Sequence, residues 1–146
     1  KTVMAFEVAR ARIFEYSQYN NQISPAFADL IETGLGVSRT AYERALSVRD
    51  RAGQTLAGIF QKYDALMTPA APSSAPEGIM ATGDPLFSHM WSLLRSPSVA
   101  LPYGRDKSNM PLSFQLIGDI GRDQLLLAHA NDVATKLEIE PSLPLA

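Results

Sequence analysis

The sequence predicts an α/β fold: a mixed sheet of about three short strands covered by helices. Three observations carry that expectation. Apolar residues recur every three or four positions through the first 63 residues and again between 123 and 137, the period of helices with one buried face. Short runs such as Ala65-Leu66-Met67-Thr68 and Val99-Ala100-Leu101 are nearly continuously apolar and too short for helices, as buried strands are. Helical and strand patterns then alternate along the chain, the order that builds layered α/β architectures.

Taken in order, Val3, Phe6, Ala9, Ile13 and Tyr16 line one face of a helix from Thr2 to about Asn20, with Glu7, Arg10 and Arg12 on the solvated side. Ser24-Pro25 supplies a cap and a first-turn proline for a short helix carrying Phe27, Leu30 and Ile31. Gly34 and Gly36 are expected to end it in a left-handed cap. The longest helix spans roughly 40 to 63, capped by Thr40 or equally by Ser38. Its inward stripe is Tyr42, Ala45, Ala52, Leu56, Ile59, Phe60 and Tyr63. Gly53 within it is expected to permit close packing. A buried strand over 65 to 68 ends at Pro69, and prolines at 69, 72 and 76 stiffen the loop that follows. Asp84-Pro85 opens a helix running to about Arg95. A second strand covers 99 to 101, residues 103 to 110 form a turn, and Leu112, Phe114 and Leu116 alternate with Ser113, Gln115 and Ile117 as a third strand. Asp123 caps a closing helix with Leu126, Ala130, Val133 and Leu137 inward, and 138 to 146 reads as a surface strap. The organisation is therefore one domain: helical over 1–63, strand, loop, helix, strand and strand over 64–118, a closing helix over 119–137 and a tail. Three short strands with open edges want completion, by polypeptide absent from this sequence or by another copy.

Composition narrows the function. Apolar residues make up 46% and charged residues 19%, which is globular rather than disordered. The formal charge of −2 gives no electrostatic case for nucleic acid or an anionic membrane. No apolar run approaches the roughly 20 residues of a bilayer span. The absence of cysteine removes disulfides, thiolate metal sites and cysteine nucleophiles, and it suits a reducing, cytoplasmic setting. Lys1 leads directly into an amphipathic pattern rather than a secretory leader. Without an initiator Met, the chain is expected to be a piece of a longer protein or a trimmed form.

Each candidate for chemistry has a plainer reading. Ser73-Ser74 is the only adjacent serine pair, but prolines flank it and no Lys or His stands nearby in sequence, so a surface loop is preferred. His89 and His129 fall on separate helices without metal-ligand spacing. Gly34-Leu35-Gly36 follows a helix and lacks a third glycine, failing the dinucleotide pattern. Asp64 and Asp84 read as a strand lead-in and a cap rather than an acid/base pair. Tyr16, Tyr19 and Trp91 are capable of lining an apolar pocket, though core packing is favoured. Nothing requires a metal or organic cofactor, and spacing alone names no catalytic group.

The stretch from Asp64 to Gly118 nevertheless resembles the C-terminal part of the amidase signature family. The matching residues are Asp64-Ala65-Leu66-Met67-Thr68-Pro69, Ala75-Pro76-Glu77-Gly78, Gly83-Asp84-Pro85 with Phe87, and Trp91-Ser92-Leu93-Leu94. Pro97, Val99-Ala100-Leu101-Pro102, Met110-Pro111-Leu112 and Gln115-Leu116-Ile117-Gly118 continue the match. Asp123, Leu125 and Leu126 fit the closing helix, and Tyr42, Ala45 and Arg49 fit upstream. Departures lie at Arg95-Ser96, Asn109 and Ser113, where the family commonly carries glycines.

The resemblance implies a hydrolase of small-molecule amides working by a Ser-cis-Ser-Lys mechanism: serine attacks the carbonyl, lysine takes the proton through the second serine, and backbone N–H groups hold the oxyanion. The family's lysine strand and its Gly-Ser-rich segment have no match here. Lys1, Lys62, Lys107 and Lys136 lie in other contexts, so no catalytic residue carries over. By position, Trp91 and Ser92 are the residues expected nearest substrate. A non-catalytic binding or assembly module built on the same fold, pairing its strand edges with a partner or with itself as a homo-oligomer, is the alternative.

Overall fold

Helix α1 (Thr2–Ala11) forms where the first apolar stripe places it, and Val3, Phe6 and Ala9 are buried along that stripe. The structure, a computed structural model, describes residues 1–79 and 81–139; the expected surface strap beyond Ile139 lies outside the described residues. The chain forms two compact units, residues 1–51 and 52–146.

In the first unit the single expected helix is two. The backbone departs from helical geometry at Arg12 (φ −121°, ψ 14°), and α2 (Ile13–Tyr19) starts again beyond it. The break turns the second half of the stripe away from the core, so Ile13 is exposed. A short turn (Asn20–Gln22) leads to α3 (Pro25–Leu35), which has Pro25 at its first position as expected. The left-handed cap does not occur: Gly36 is right-handed (φ −74°, ψ −13°) and Gly34 lies inside the helix. Close approach explains Gly34, because a Cβ there would stand 1.9 Å from the Ala5 carbonyl oxygen. Ile31 is fully buried on the same helix.

Helix α4 (Arg39–Phe60) begins in the first unit, where the Ser38 hydroxyl accepts from the Ala41 N–H at 3.1 Å; Ser38, not Thr40, is the cap. Tyr42 stacks on Phe6 with ring centroids 4.0 Å apart and donates to Glu7 at 2.8 Å, while the Arg10 guanidinium covers the Phe6 ring at 3.2 Å. Tyr16 likewise donates to Glu32, which raises the Tyr16 pKa above its ordinary value.

The second unit is built on a three-stranded sheet of order β1-β3-β2, comprising β1 (Leu66–Pro69), β2 (Ser98–Arg105) and β3 (Pro111–Ile117). The expected three strands are present, and both ladders are antiparallel rather than mixed. Leu66 and Ser98 both face Ile117, on the two sides of β3. Strand β2 runs four residues past its expected end. A bulge between Pro102 and Gly104 absorbs the missing proline N–H and lets pairing continue to Arg105, so the turn shrinks to 106–110.

Two hydrophobic clusters cover the sheet, one on each face. Ile117 packs with Leu56 of α4 and with Trp91 and Leu94 of α5 (Leu86–Leu94). Leu116 packs with Leu126 and Ala130 of α6 (Asp123–Lys136). Adjacent residues of β3 thus point into opposite clusters, as a strand between two helical layers requires. Three expectations are corrected within this unit. Tyr63 and Leu137 are exposed, because α4 and α6 end before them. Asp123 is the first residue of α6 and makes no cap bond. Around Gly53 no atom lies within 4 Å of where a Cβ would stand, so it does not serve close packing in this unit. No helix among the described residues is long and apolar enough to cross a membrane.

Candidate functional site

The Pro/Ala loop after β1 folds back over the start of β3 and encloses a cavity of about 220 Å³. Its walls are the loop residues Ala71 to Pro76, then Thr82 to Asp84, and Pro111 to Ser113 of β3. Prolines keep the loop extended, and two polar ties hold it in place. The Ala70 N–H donates to the Ser113 carbonyl at 3.0 Å. Ser74 donates its hydroxyl proton to Asp106 of the β2–β3 turn. Asp84 accepts from the Leu86 N–H at 3.0 Å in a turn just before α5, but the cap residue is Pro85 and makes no side-chain cap bond, so the expected Asp84 cap is shifted by one residue.

Behind the cavity, Gln115 is 5% exposed and donates to two carbonyls, Phe87 at 2.9 Å and Pro69 at 3.2 Å. One buried amide therefore joins the end of β1 to the start of α5. Asp106 plays the same part outside, accepting from Ser108 N–H at 2.8 Å and Met110 N–H at 2.9 Å besides Ser74. The Ser74 hydroxyl first, and then these backbone donors, hold its carboxyl below the usual range.

That arrangement says what the cavity does chemically. A serine nucleophile needs a base able to take its proton. The carboxylate beside Ser74 is made less basic by its three donors, and Ser73 donates to the Ser74 carbonyl at 3.0 Å. No Lys, Arg or His lines the cavity among the described residues. Its described lining offers hydroxyls but no side chain able to take a serine's proton.

The other sequence-derived candidates disperse. Asp84 lines this cavity, whereas Asp64 lines a second one at the far end of β3. His89 is exposed on α5 and His129 is half-buried on α6, whose helices pack on opposite faces of the sheet. Tyr16 is tied to Glu32, and Tyr19 meets Phe14 edge-on within the first unit. Trp91 is 6% exposed in the core cluster, and Ser92 next to it is exposed. Neither lines the loop cavity. Sequence reasoning missed Gln115 and Asp106. The signal for Gln115 was a lone amide in an apolar strand exit; for Asp106 it was an aspartate two residues before Ser108 at a turn.

Two of the departures fall on strained backbone. Arg95 takes φ 60° at the end of α5 and Asn109 takes φ 62° in the turn, both left-handed. Asn tolerates that conformation far better than Arg. Replacing Arg95 with glycine should raise stability by about 1 kcal/mol, read as a higher urea midpoint with an unchanged slope. An unchanged midpoint would mean that the Arg95 side chain contributes contacts equal to the strain.

A sequence model of the amidase family matches residues 19–127, well over half the chain. Among curated proteins, the glutamyl-tRNA(Gln) amidotransferase A subunit of Prochlorococcus marinus (strain MIT 9211) is 35% identical over 97 residues, 62% of this chain and 20% of its own length. The protein of the same name from Hyphomonas neptunium (strain ATCC 15444) is 37% identical over 84 residues, 53% of this chain and 17% of its own. A crystal structure of an amidase superposes with a TM-score of 0.81 at 25% identity, over 91% of this chain and 33% of that one. The chain thus spans about a fifth of the length of these relatives and a third of the solved amidase.

Proposed function

This chain belongs to the amidase family, and from that premise we propose that it is the C-terminal portion of a hydrolase of amide carbon–nitrogen bonds. The nucleophile and base of that enzyme, a Ser-cis-Ser-Lys set, lie in polypeptide outside these 146 residues. One observation carries the reading. The chain matches a solved amidase over nearly all of its own length but only a third of that protein's, and its loop cavity holds hydroxyls without a competent base.

In this reading the chain supplies sheet strands, helical cover and part of a substrate wall. Helix α5 is the proposed wall: Trp91 anchors it in the core and Ser92 faces outward toward a small amide substrate. No metal or organic cofactor takes part, and the setting is cytoplasmic, in keeping with the absence of cysteine. The curated relatives are named as one subunit of an amidotransferase, which supports assembly with partner chains.

A panel of small amides and aryl esters tests the proposal. This chain alone should show no turnover above the uncatalysed rate. Turnover that persists after Ser73→Ala and Ser74→Ala together would place the chemistry inside the chain and overturn it. The reading frame upstream of Lys1 gives a second test: a lysine-bearing strand followed by a Gly-Ser-rich segment agrees, and a start codon immediately upstream does not.

A second reading, a non-catalytic assembly module, is favoured by one feature. The outer edges of β1 and β2 have no strand partner among the described residues. Such a module would self-associate or capture a strand, so a dispersed monomer by sedimentation would count against it.

A further inference from the structure

Roughly twenty ångströms from the loop cavity, at the other end of β3 by strand rise, a second cavity of about 270 Å³ opens beside Gly118. Its walls carry charge of both signs. Asp64 enters from the segment before β1, Asp119 from the β3–α6 connection and Arg122 from the residue before α6. Phe60, Tyr63 and Leu125 supply an apolar side.

These charges are not engaged with one another. Among the described residues, neither Arg122 nor Asp64 nor Asp119 makes an ion pair within 4.0 Å. Asp119 spends one carboxylate oxygen on the Ile120 N–H at 2.8 Å, leaving the other open. The Arg122 N–H donates to the Asp119 carbonyl at 3.1 Å, so the turn itself fixes where the guanidinium begins. Gly118 lets the strand exit pack closely on Leu126, since a Cβ there would stand 3.1 Å from the Leu126 Cβ. Unlike charges facing one cavity without closing on each other suit a ligand that carries both signs. The guanidinium offers paired donors for a carboxylate, and the aspartates accept from an ammonium.

We infer that this cavity binds a free α-amino acid with an apolar side chain. Its volume falls just below the roughly 300–1,000 Å³ of drug-sized pockets, which fits one residue rather than a peptide. The side chain lies on Phe60, Tyr63 and Leu125, the carboxylate on Arg122 and the ammonium on Asp64 and Asp119. This inference does not depend on amide hydrolysis, because none of its residues belongs to the loop cavity or to the proposed wall on α5.

Calorimetric titration of the full chain with L-leucine, leucinamide and N-acetylleucine tests it. Leucine should bind at least about ten-fold more tightly than either analogue, each of which loses one charged contact. Arg122→Gln should erase the preference over leucinamide, and Asp64→Asn the preference over N-acetylleucine. Both side chains are exposed, so each variant keeps the fold, which circular dichroism checks. Equal binding of all three compounds, or no saturable heat with leucine, would overturn the inference.

Discussion

Gly34→Ala should unfold or loosen the first unit, although alanine is the better helix former. Helix propensity alone would favour the change by about 1 kcal/mol. Against that, the new methyl carbon would lie 1.9 Å from the Ala5 oxygen, 2.5 Å from the Ala5 carbonyl carbon and 2.7 Å from the Ala9 Cβ. Two of those atoms are backbone, so no rotamer change relieves the clash; α1 must move off α3. Overpacking costs roughly 1–3 kcal/mol, and more where backbone must shift. A unit of 51 residues has little stability in reserve. The expected result is loss of amide-exchange protection in α1 and α3 and a lower thermal midpoint. Wild-type protection in those helices would show that they are not held at the distance described. Gly36→Ala is the control, since a Cβ there meets nothing closer than 3.5 Å and the backbone is right-handed.

That glycine shows where sequence reading succeeds and where it stops. Both Gly34 and Gly36 sit at a helix end, and local rules assign them to capping. Only the partner helix reveals that Gly34 answers to Ala5. Gly53 is the converse: it reads as a packing glycine and faces open space. The strands were legible because β3 alternates between two apolar clusters, and a period of two survives whatever packs on each side. The extension of β2 to Arg105 was not legible, since Pro102 and Gly104 announce a break and only the pairing with β3 shows a bulge. The split at Arg12 left no mark either, because no proline or glycine stands there.

The candidate site divides in the same way. Ser73-Ser74 as loop residues follow from neighbours in sequence, and the structure places them so; Asp84 makes its bond beside α5 as its spacing suggests, one residue before the cap at Pro85. Asp106 and Gln115 work across 32 and 46 residues of chain, to Ser74 and Pro69, and no local pattern encodes such a span. Arg95 and Asn109 are intermediate cases. They depart from the family's common glycines, and the positive φ that both adopt is the physical content of that departure.

Trp91→Ala should be the most destabilising substitution in the second unit, and Ser92→Ala close to neutral. Trp91 is the only tryptophan of the chain, 6% exposed, and packs with Leu56, Leu94 and Ile117. Truncating a buried tryptophan costs about 3–5 kcal/mol, a large part of the 5–15 kcal/mol that holds a typical domain. Urea denaturation followed by circular dichroism reads the loss, and wild-type Trp91 emission at short wavelength reports the dry environment independently. Ser92 is exposed and its hydroxyl makes no hydrogen bond among the described residues, so its removal should change stability by under about 0.5 kcal/mol. The pair therefore separates two roles that adjacency in sequence confounds. In a full-length enzyme, Trp91→Ala would lower activity through stability whether or not it borders substrate. A change in KM at unchanged stability in Ser92→Ala has only one source, contact with the substrate, and an unchanged KM removes α5 from the proposed wall. A stable Trp91→Ala chain with wild-type midpoint would show instead that the indole is not the anchor of this core.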